Sequence, residues 1–510
     1  MTNRNRREFL SNVGRGMLAA SVGPALVADL GLAPAFGRDS SETLSFGARE
    51  PLVALLQETP ADKLLPLLVS KIQSGTDLQT LTAACALANA RTFGGEDYTG
   101  YHAFMALAPA YHMTSELPAE RRALPVLKVL YRNVRRIQEF GGRSKEVLHA
   151  VTPAELPKDR PVGEMLREAA HGHDATTAER TLAALVNRST KEAFDELQHV
   201  VDDDADVHRV VLAWRAWAML DIVGQEQATT LLRQSVRFCS HTANERRQAP
   251  AIRALLPKLL DQYKLVGRPL GTRTPDDAWV ERMSRTIYES NGSQAADAVA
   301  AALADGISPE AIGEAISLAA NMLVLRDAGL TETQVSPGKP VGSVHGASIG
   351  VHASDAVNAW RNIARVGNAR TTAASLIVAA YYKTGAAGLK SPHPLAEQLE
   401  AVRAKDADSL LRETALAIES RDQPRACALI HRYGELGHPP RPVFDLMLKY
   451  AVSEDGALHA EKYYRTVEEE FAATRPAFRW RQLVALARVT ASEFGNPAPG
   501  YAEACRLLKV

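Results

Sequence analysis

Leu78-Gln79-Thr80-Leu81-Thr82-Ala83-Ala84-Cys85-Ala86-Leu87-Ala88-Asn89-Ala90 decides the fold class, together with Ala311-Ile312-Gly313-Glu314-Ala315-Ile316-Ser317-Leu318-Ala319-Ala320-Asn321-Met322-Leu323 far downstream. Both stretches are rich in Ala and Leu. Neither alternates β-branched with polar residues, as a half-buried strand would. Each reads as a helix, and the two read alike. Working outward, Asp62 to Ile72 fits a helical pattern interrupted by Pro66. Regular helix is expected to begin at that proline, where a missing N–H costs nothing. Further helices are expected over Pro161 to Ala170, Ala178 to Val186, Ala193 to Val200 and Val210 to Val223. Gly, Pro, Asn and Asp fill the breaks between them. Asp174 stands where a helix N-cap belongs. The expected fold is all-α.

Composition narrows the function. The 510 residues carry 59 basic and 59 acidic side chains, so the net charge is zero. A nucleic-acid binder needs a basic face to displace counterions, and this balance argues against one. At 46% hydrophobic and 23% charged residues, the chain is not globally disordered. Its length allows about three domains or one large two-part unit. Cys85, Cys239, Cys427 and Cys505 are far apart and form no Cys-x-x-Cys pair. That excludes covalent c-type haem and zinc-ribbon spacing, and suggests small buried cysteines in helices.

Arg6-Arg7-Glu8-Phe9-Leu10 follows Asn5 and precedes a weakly apolar stretch from Met17 to Leu32. This resembles a twin-arginine export signal, with Asn5 in place of the usual Ser or Thr and Ser11 in place of the usual Lys. Ala33-Pro34-Ala35 supplies small residues for cleavage after Ala35. The segment is too short, and too broken by Gly, Pro24 and Asp29, to make a good membrane span. The resemblance implies export to the periplasm, and no transmembrane segment is expected apart from the signal. Since this pathway carries folded proteins, a cofactor would be inserted beforehand.

A tandem duplication is expected in the mature chain. With a shift of 250 residues, Gly100, His102 and Ala103 fall on Gly350, His352 and Ala353. Ala123, Leu127 and Tyr131 fall on Ala373, Ile377 and Tyr381, and His112 on Asn362. With a shift of 230, His208 falls on His438 and Trp214 on Phe444. The expected organisation is a signal over 1–35, a helical half over 50–266 and a second over 276–510. Arg268 to Pro275 reads as the linker. The halves would pack face to face as a bundle or stack as a solenoid.

Histidines are the polar residues whose placement looks organised. Tyr101-His102 opens an apolar helix. His345 and His352 lie seven residues apart near the start of a helix running to about Ala364. At 1.5 Å per residue they would stand about 10 Å apart on one side, too far to share a metal but able to line one cleft. The dipole at a helix start disfavours the imidazolium and leaves a neutral ring that takes a proton or binds a metal. His102, His345 and His352 are therefore the candidate catalytic residues. His208 and His438, at two helix starts, are the candidate cofactor ligands, for a metal or a non-covalent haem.

Other motifs read as ordinary structure. His171-Gly172-His173-Asp174 resembles part of the metallo-hydrolase pattern but lacks its last His and preceding strand, so a loop with a helix cap is expected. Asp202-Asp203-Asp204-Ala205-Asp206 lacks the Gly and Glu of an EF-hand and reads as a solvated loop capping the helix of His208. Arg132, Arg135, Arg136, Arg143 and Lys145 read as an exposed helix face. Dinucleotide, nucleoside-triphosphate, serine-hydrolase and zincin motifs are absent.

Tyr101-His102-Ala103-Phe104 and Val351-His352-Ala353-Ser354 are similar to segments of questin-oxidase-like helical proteins. The similarity covers two short segments and implies oxygen-dependent oxidation of an aromatic substrate. Two functions follow from the residues. One is an oxidoreductase acting on a small molecule in a His-lined pocket between the halves. The other is a non-catalytic helical scaffold that binds an envelope protein through a concave face.

Overall fold

A computed structural model describes residues 44–241, 244, 249–344, 348–382 and 392–510. Among them the regular elements are all helical. The first group comprises α1 (Glu50–Glu58), α2 (Ala61–Gln73), α3 (Leu78–Phe93), α4 (Tyr98–Met105), α5 (Leu107–Met113) and α6 (Leu124–Phe140). It continues with α7 (Val162–His171), α8 (Ala175–Arg188), α9 (Thr190–Val201), α10 (Val207–Ala218), α11 (Ala228–Ser240) and α12 (Ala249–Gln262). An irregular segment then leads to the second group: α13 (Asp277–Glu289), α14 (Gly292–Ala304), α15 (Pro309–Arg326), α16 (Ile349–Val366), α17 (Ala369–Tyr382) and α18 (Ala407–Glu419). The last five are α19 (Gln423–Glu435), α20 (Arg441–Ser453), α21 (His459–Ala473), α22 (Trp480–Glu493) and α23 (Tyr501–Leu508). No helix among the described residues is long and apolar enough to cross a membrane.

Short polar side chains set the helix starts. Asp77, Asp97, Asp174, Ser189, Asp206, Asp276, Ser308, Ser348, Asp406 and Asp422 each accept a hydrogen bond from a backbone N–H in the first turn. Each such cap contributes about 1 kcal/mol. The Asp174 cap agrees with the sequence expectation. Pro66 does not: α2 begins at Ala61 and carries the proline inside. Pro66 is exposed, so the carbonyl left without a helical donor can turn to water.

Helices α3 and α15 form the centres of the two groups. Every residue of α3 from Leu81 to Phe93 is buried, as is every residue of α15 from Ala311 to Asn321. Their many alanines let neighbours approach closely. α3 packs on α1, α4, α5 and α6; α15 packs on α13, α16 and α17. Likewise α8, α10 and α9 surround α11, as α19, α21 and α20 surround α22. Ser45–Val510 forms one compact unit, and the groups interlock within it. α12 lies on α14 and α17 of the second group, while α23 lies on α2 and α6 of the first. α10 packs along α16, and α21 meets α5.

One buried ion pair ties the groups together. Lys128 on α6 meets Glu461 on α21 at 2.7 Å, with the two side chains 1% and 0% exposed. Its ammonium also donates to the carbonyls of Ala451 and Glu454. Removing one partner of a desolvated pair leaves an uncompensated charge, which costs about 3–5 kcal/mol. Lys128→Met is therefore expected to lower the unfolding free energy by that amount in urea titration. Lys128→Met combined with Glu461→Leu is expected to recover most of the loss.

Candidate functional site

Four helices bring four imidazoles together, three of them in first turns. His102 is the fifth residue of α4, His208 the second of α10, His352 the fourth of α16 and His459 the first of α21. Their rings close a circuit. Centroids are 4.8 Å apart for His102–His208, 5.7 Å for His208–His352, 5.4 Å for His352–His459 and 5.4 Å for His459–His102. Each helix group contributes two neighbouring rings, so two of the four contacts run between the groups.

Glycines permit the approach. A Cβ on Gly100, two residues before His102, would sit 2.6 Å from the Phe93 ring on α3. A Cβ on Gly350, two residues before His352, would sit 2.6 Å from the backbone nitrogen of Val324 on α15. Both His-bearing helices are thus pressed onto the central helices at equivalent places. His459 is positioned differently. Gly456, Ala457 and Leu458 before it all have positive φ, at 49°, 45° and 66°. Such a backbone costs about 1–2 kcal/mol per non-glycine residue. Strain of this kind persists where surrounding structure enforces it, and it clusters at functional positions.

Backbone and carboxylate acceptors orient the rings. His102 Nδ1 lies 2.7 Å from the Tyr98 carbonyl, and His459 Nδ1 lies 3.1 Å from that of Ala457. A carbonyl can only accept, so Nδ1 carries the proton and Nε2 keeps its lone pair. His208 Nδ1 faces Asp206 at 3.7 Å. The Nε2 atoms of all four rings are buried, and that of His102 makes no hydrogen bond among the described residues. Burial, with Lys462, His208 and His352 adding repulsion, drives the His102 pKa far below the ordinary imidazole value. His102 is therefore neutral at any physiological pH.

The surroundings are asymmetric. On the second group's side, Lys462 and Asp355 stand one turn beyond His459 and His352 and are 3% and 5% exposed. Burial lowers the Lys462 pKa to about 8, while Asp355 and Glu461 oppose that shift. Burial raises the Asp355 carboxyl, which accepts from Thr466 at 2.8 Å. On the first group's side the rings meet tyrosines instead. Tyr101 stacks on His102 at 5.0 Å, and Tyr98 packs on His102 at 4.3 Å and His208 at 5.7 Å. Tyr98 is 60% exposed, so this face connects the cluster to the surface. Among the described residues, no three His, Cys, Asp or Glu side chains are already set to hold a metal ion.

The structure thus brings together His102, His208 and His352 of the sequence candidates. His438 stands elsewhere: its Nε2 meets the Lys405 carbonyl at 2.8 Å and its ring packs on Tyr433. It ties a loop to a neighbouring helix. His345 lies outside the described residues. His459 takes the place expected of His438, and it stands 251 residues after His208, against 250 between His102 and His352. Applying the first offset to His208 would have landed one residue from it. Lys462 and Asp355 carried no such signal, since their counterparts in the first half are apolar.

Other motifs resolve as structure. The Asp202–Asp206 loop caps α10 as expected, but it is not solvated: Asp202, Asp203, Asp204 and Asp206 are all buried. Arg167 and His171 hold Asp203, and Arg370 faces Asp202. His173 meets the Ser240 carbonyl and Asp174 caps α8. Arg132, Arg135, Arg136 and Arg143 are partly exposed and paired with acids. Cys85, Cys239 and Cys427 are buried without disulfides, and burial pushes their thiols up and makes them unreactive. The chain matches no known protein family, no curated protein sequence and no solved structure.

The suppressed histidines set a pH dependence. His102 is held far down, and burial brings His112, His199 and His393 to about 4. Unfolding returns each to its ordinary value near 6.5. Below that pH the unfolded chain binds more protons, so stability falls as pH falls toward 4. Asp202, raised by burial to about 7, works oppositely between its ordinary value and 7, and offsets about one histidine. Urea unfolding is expected to show a lower unfolding free energy at pH 5 than at pH 7. His102→Gln should flatten that slope by up to about 1.4 kcal/mol per pH unit.

Proposed function

We propose that this protein is an oxidoreductase whose reaction centre is a redox-active transition-metal ion held by His102, His208, His352 and His459. The closed circuit of four imidazoles, with every Nε2 buried and His102 held neutral by burial, carries the reading. The buried Nε2 of His102 makes no hydrogen bond among the described residues, which costs about 1–3 kcal/mol and would be offset by a bound ion. Neutral imidazoles suit copper, iron, nickel and zinc. With metal–nitrogen bonds of about 2.0–2.1 Å, four ring centroids around one tetrahedral ion stand about 5 Å apart. The observed 4.8–5.7 Å spacing fits a single ion, and rings this close leave no slot for a porphyrin between them. Metal loading would require the rings to rotate about their side-chain torsions. The Nδ1 contacts of His102 and His459 support the ligand tautomer. When bound, the ion would supply one-electron chemistry, which no side chain in the cluster provides. Lys462 and Asp355 would hold or release protons beside it, and Tyr98 marks the side from which a small molecule arrives.

Recurrence of the same helix packing in the two groups supports a tandem duplication in which each copy brings two ligands. The twin-arginine resemblance supports export to the periplasm of a protein folded, and metal-loaded, beforehand. Replacing Arg6 and Arg7 by Lys is expected to leave the precursor in the cytoplasm by cell fractionation. Release of the unchanged variant to the periplasm would exclude this route.

Elemental analysis and absorption spectroscopy of the natively exported protein test the centre. About one copper or iron per chain is expected, reduced at least tenfold by His208→Ala or His459→Ala and unchanged by His438→Ala. Zinc alone would overturn the redox reading. A metal-free, colourless protein that takes up no copper, iron or zinc would favour the scaffold.

A further inference from the structure

A second site lies at the other end of the Asp202–Asp206 loop from His208. A cleft of about 400 Å³ is lined by Arg167, His199, Asp203, Arg253, Lys264 and Arg370, drawn from both helix groups. Its volume falls in the range of small-molecule sites. Leu256, Pro257 and Leu260 give it an apolar wall.

Of the three acids that line the cleft, Asp203 and Glu164 are engaged and Asp261 stands exposed. Both oxygens of Asp203 accept from Arg167 Nε at 2.8 Å, and one lies 2.6 Å from His171 Nε2. Glu164 faces His199 at 3.3 Å and Arg167 at 3.4 Å. Arg370 is not matched in this way. Its nearest ion-pair contact, Asp202, is 3.7 Å away, beyond hydrogen-bond length, and its Nη1 is buried without a hydrogen bond among the described residues. Burial raises the Asp202 carboxyl to about 7, with Arg370 opposing the shift. Arg370 is the second residue of α17, whose positive end adds to the local field. Burial and then Arg370 hold the His199 imidazole down, while Glu164 opposes them. Lys264 adds an exposed ammonium at the rim.

We propose that this cleft binds a small organic acid, with its carboxylate or phosphate on Arg370 and Lys264 and its apolar body on Leu256, Pro257 and Leu260. The guanidinium fork matches an oxyanion in two parallel hydrogen bonds. The site is separate from the histidine cluster and does not depend on its metal.

Calorimetric titration of the full mature chain with phenyl phosphate, benzoate and inorganic phosphate, against chloride at equal ionic strength, tests the site. Saturable binding of phenyl phosphate or benzoate is expected, tighter than inorganic phosphate because of the apolar wall. Arg370→Met and Lys264→Met should each weaken it at least tenfold, while Lys509→Met leaves it unchanged. Because Arg370 also faces Asp202, the exposed Lys264 provides a variant that does not perturb the core. No saturable binding of any probe, or an affinity unchanged from the unsubstituted protein in both Lys264→Met and Arg370→Met, would overturn the proposal.

Discussion

Four imidazoles taken out of water between two groups of helices are the constraint on which the rest of this structure depends. Neutral rings can be buried where charged ones cannot, and burial with the neighbouring Lys462, His208 and His352 keeps His102 neutral. His208, His352 and His459 sit in first helical turns, where the dipole opposes protonation. Lys462 stands behind them as a cation. Two of them donate Nδ1–H to backbone carbonyls, leaving the lone pairs on the buried side. The helices can meet so closely only because Gly100 and Gly350 remove a side chain at the contacts with α3 and α15.

Charges are arranged to allow this. The cations and anions near the cluster are buried too, and each faces a partner, Lys128 across the join and the others within the second group. Lys128 meets Glu461, Arg361 meets Glu470 at 2.6 Å, and Asp355 balances Lys462. Such pairs contribute little net stability over apolar packing, but losing one partner is expensive. They therefore fix how the helix groups register rather than how tightly they bind. The crossing of α12 onto the second group and of α23 onto the first has the same effect. The His208–His352 and His459–His102 contacts cross between the groups, which makes the cluster a reporter of that register.

Much of the helical layout was legible in the chain. Capping Asp and Ser residues, Ala-rich central helices and the 250-residue offset between Gly100-x-His102 and Gly350-x-His352 all act locally, through backbone hydrogen bonds and side-chain volume. Pro66 misled because a solvent-facing carbonyl tolerates the missing donor. The acidic loop misled because Asp202 to Asp206 look solvated until Arg167, His171 and Arg370 arrive from distant helices. His459 was missed because its helix is started by three left-handed residues rather than by a capping side chain.

The sequence by itself determined that the chain is helical, roughly where several of its helices lie and that histidines recur at a 250-residue offset within them. The helices follow from propensity and capping, which need only neighbours a few residues away. Only the tertiary structure decided which histidines meet. That choice depends on how α10 packs along α16 and how Lys128 reaches Glu461, contacts between residues more than a hundred positions apart. Burial, and with it the suppressed charge of the rings, exists only once those helices have closed around them.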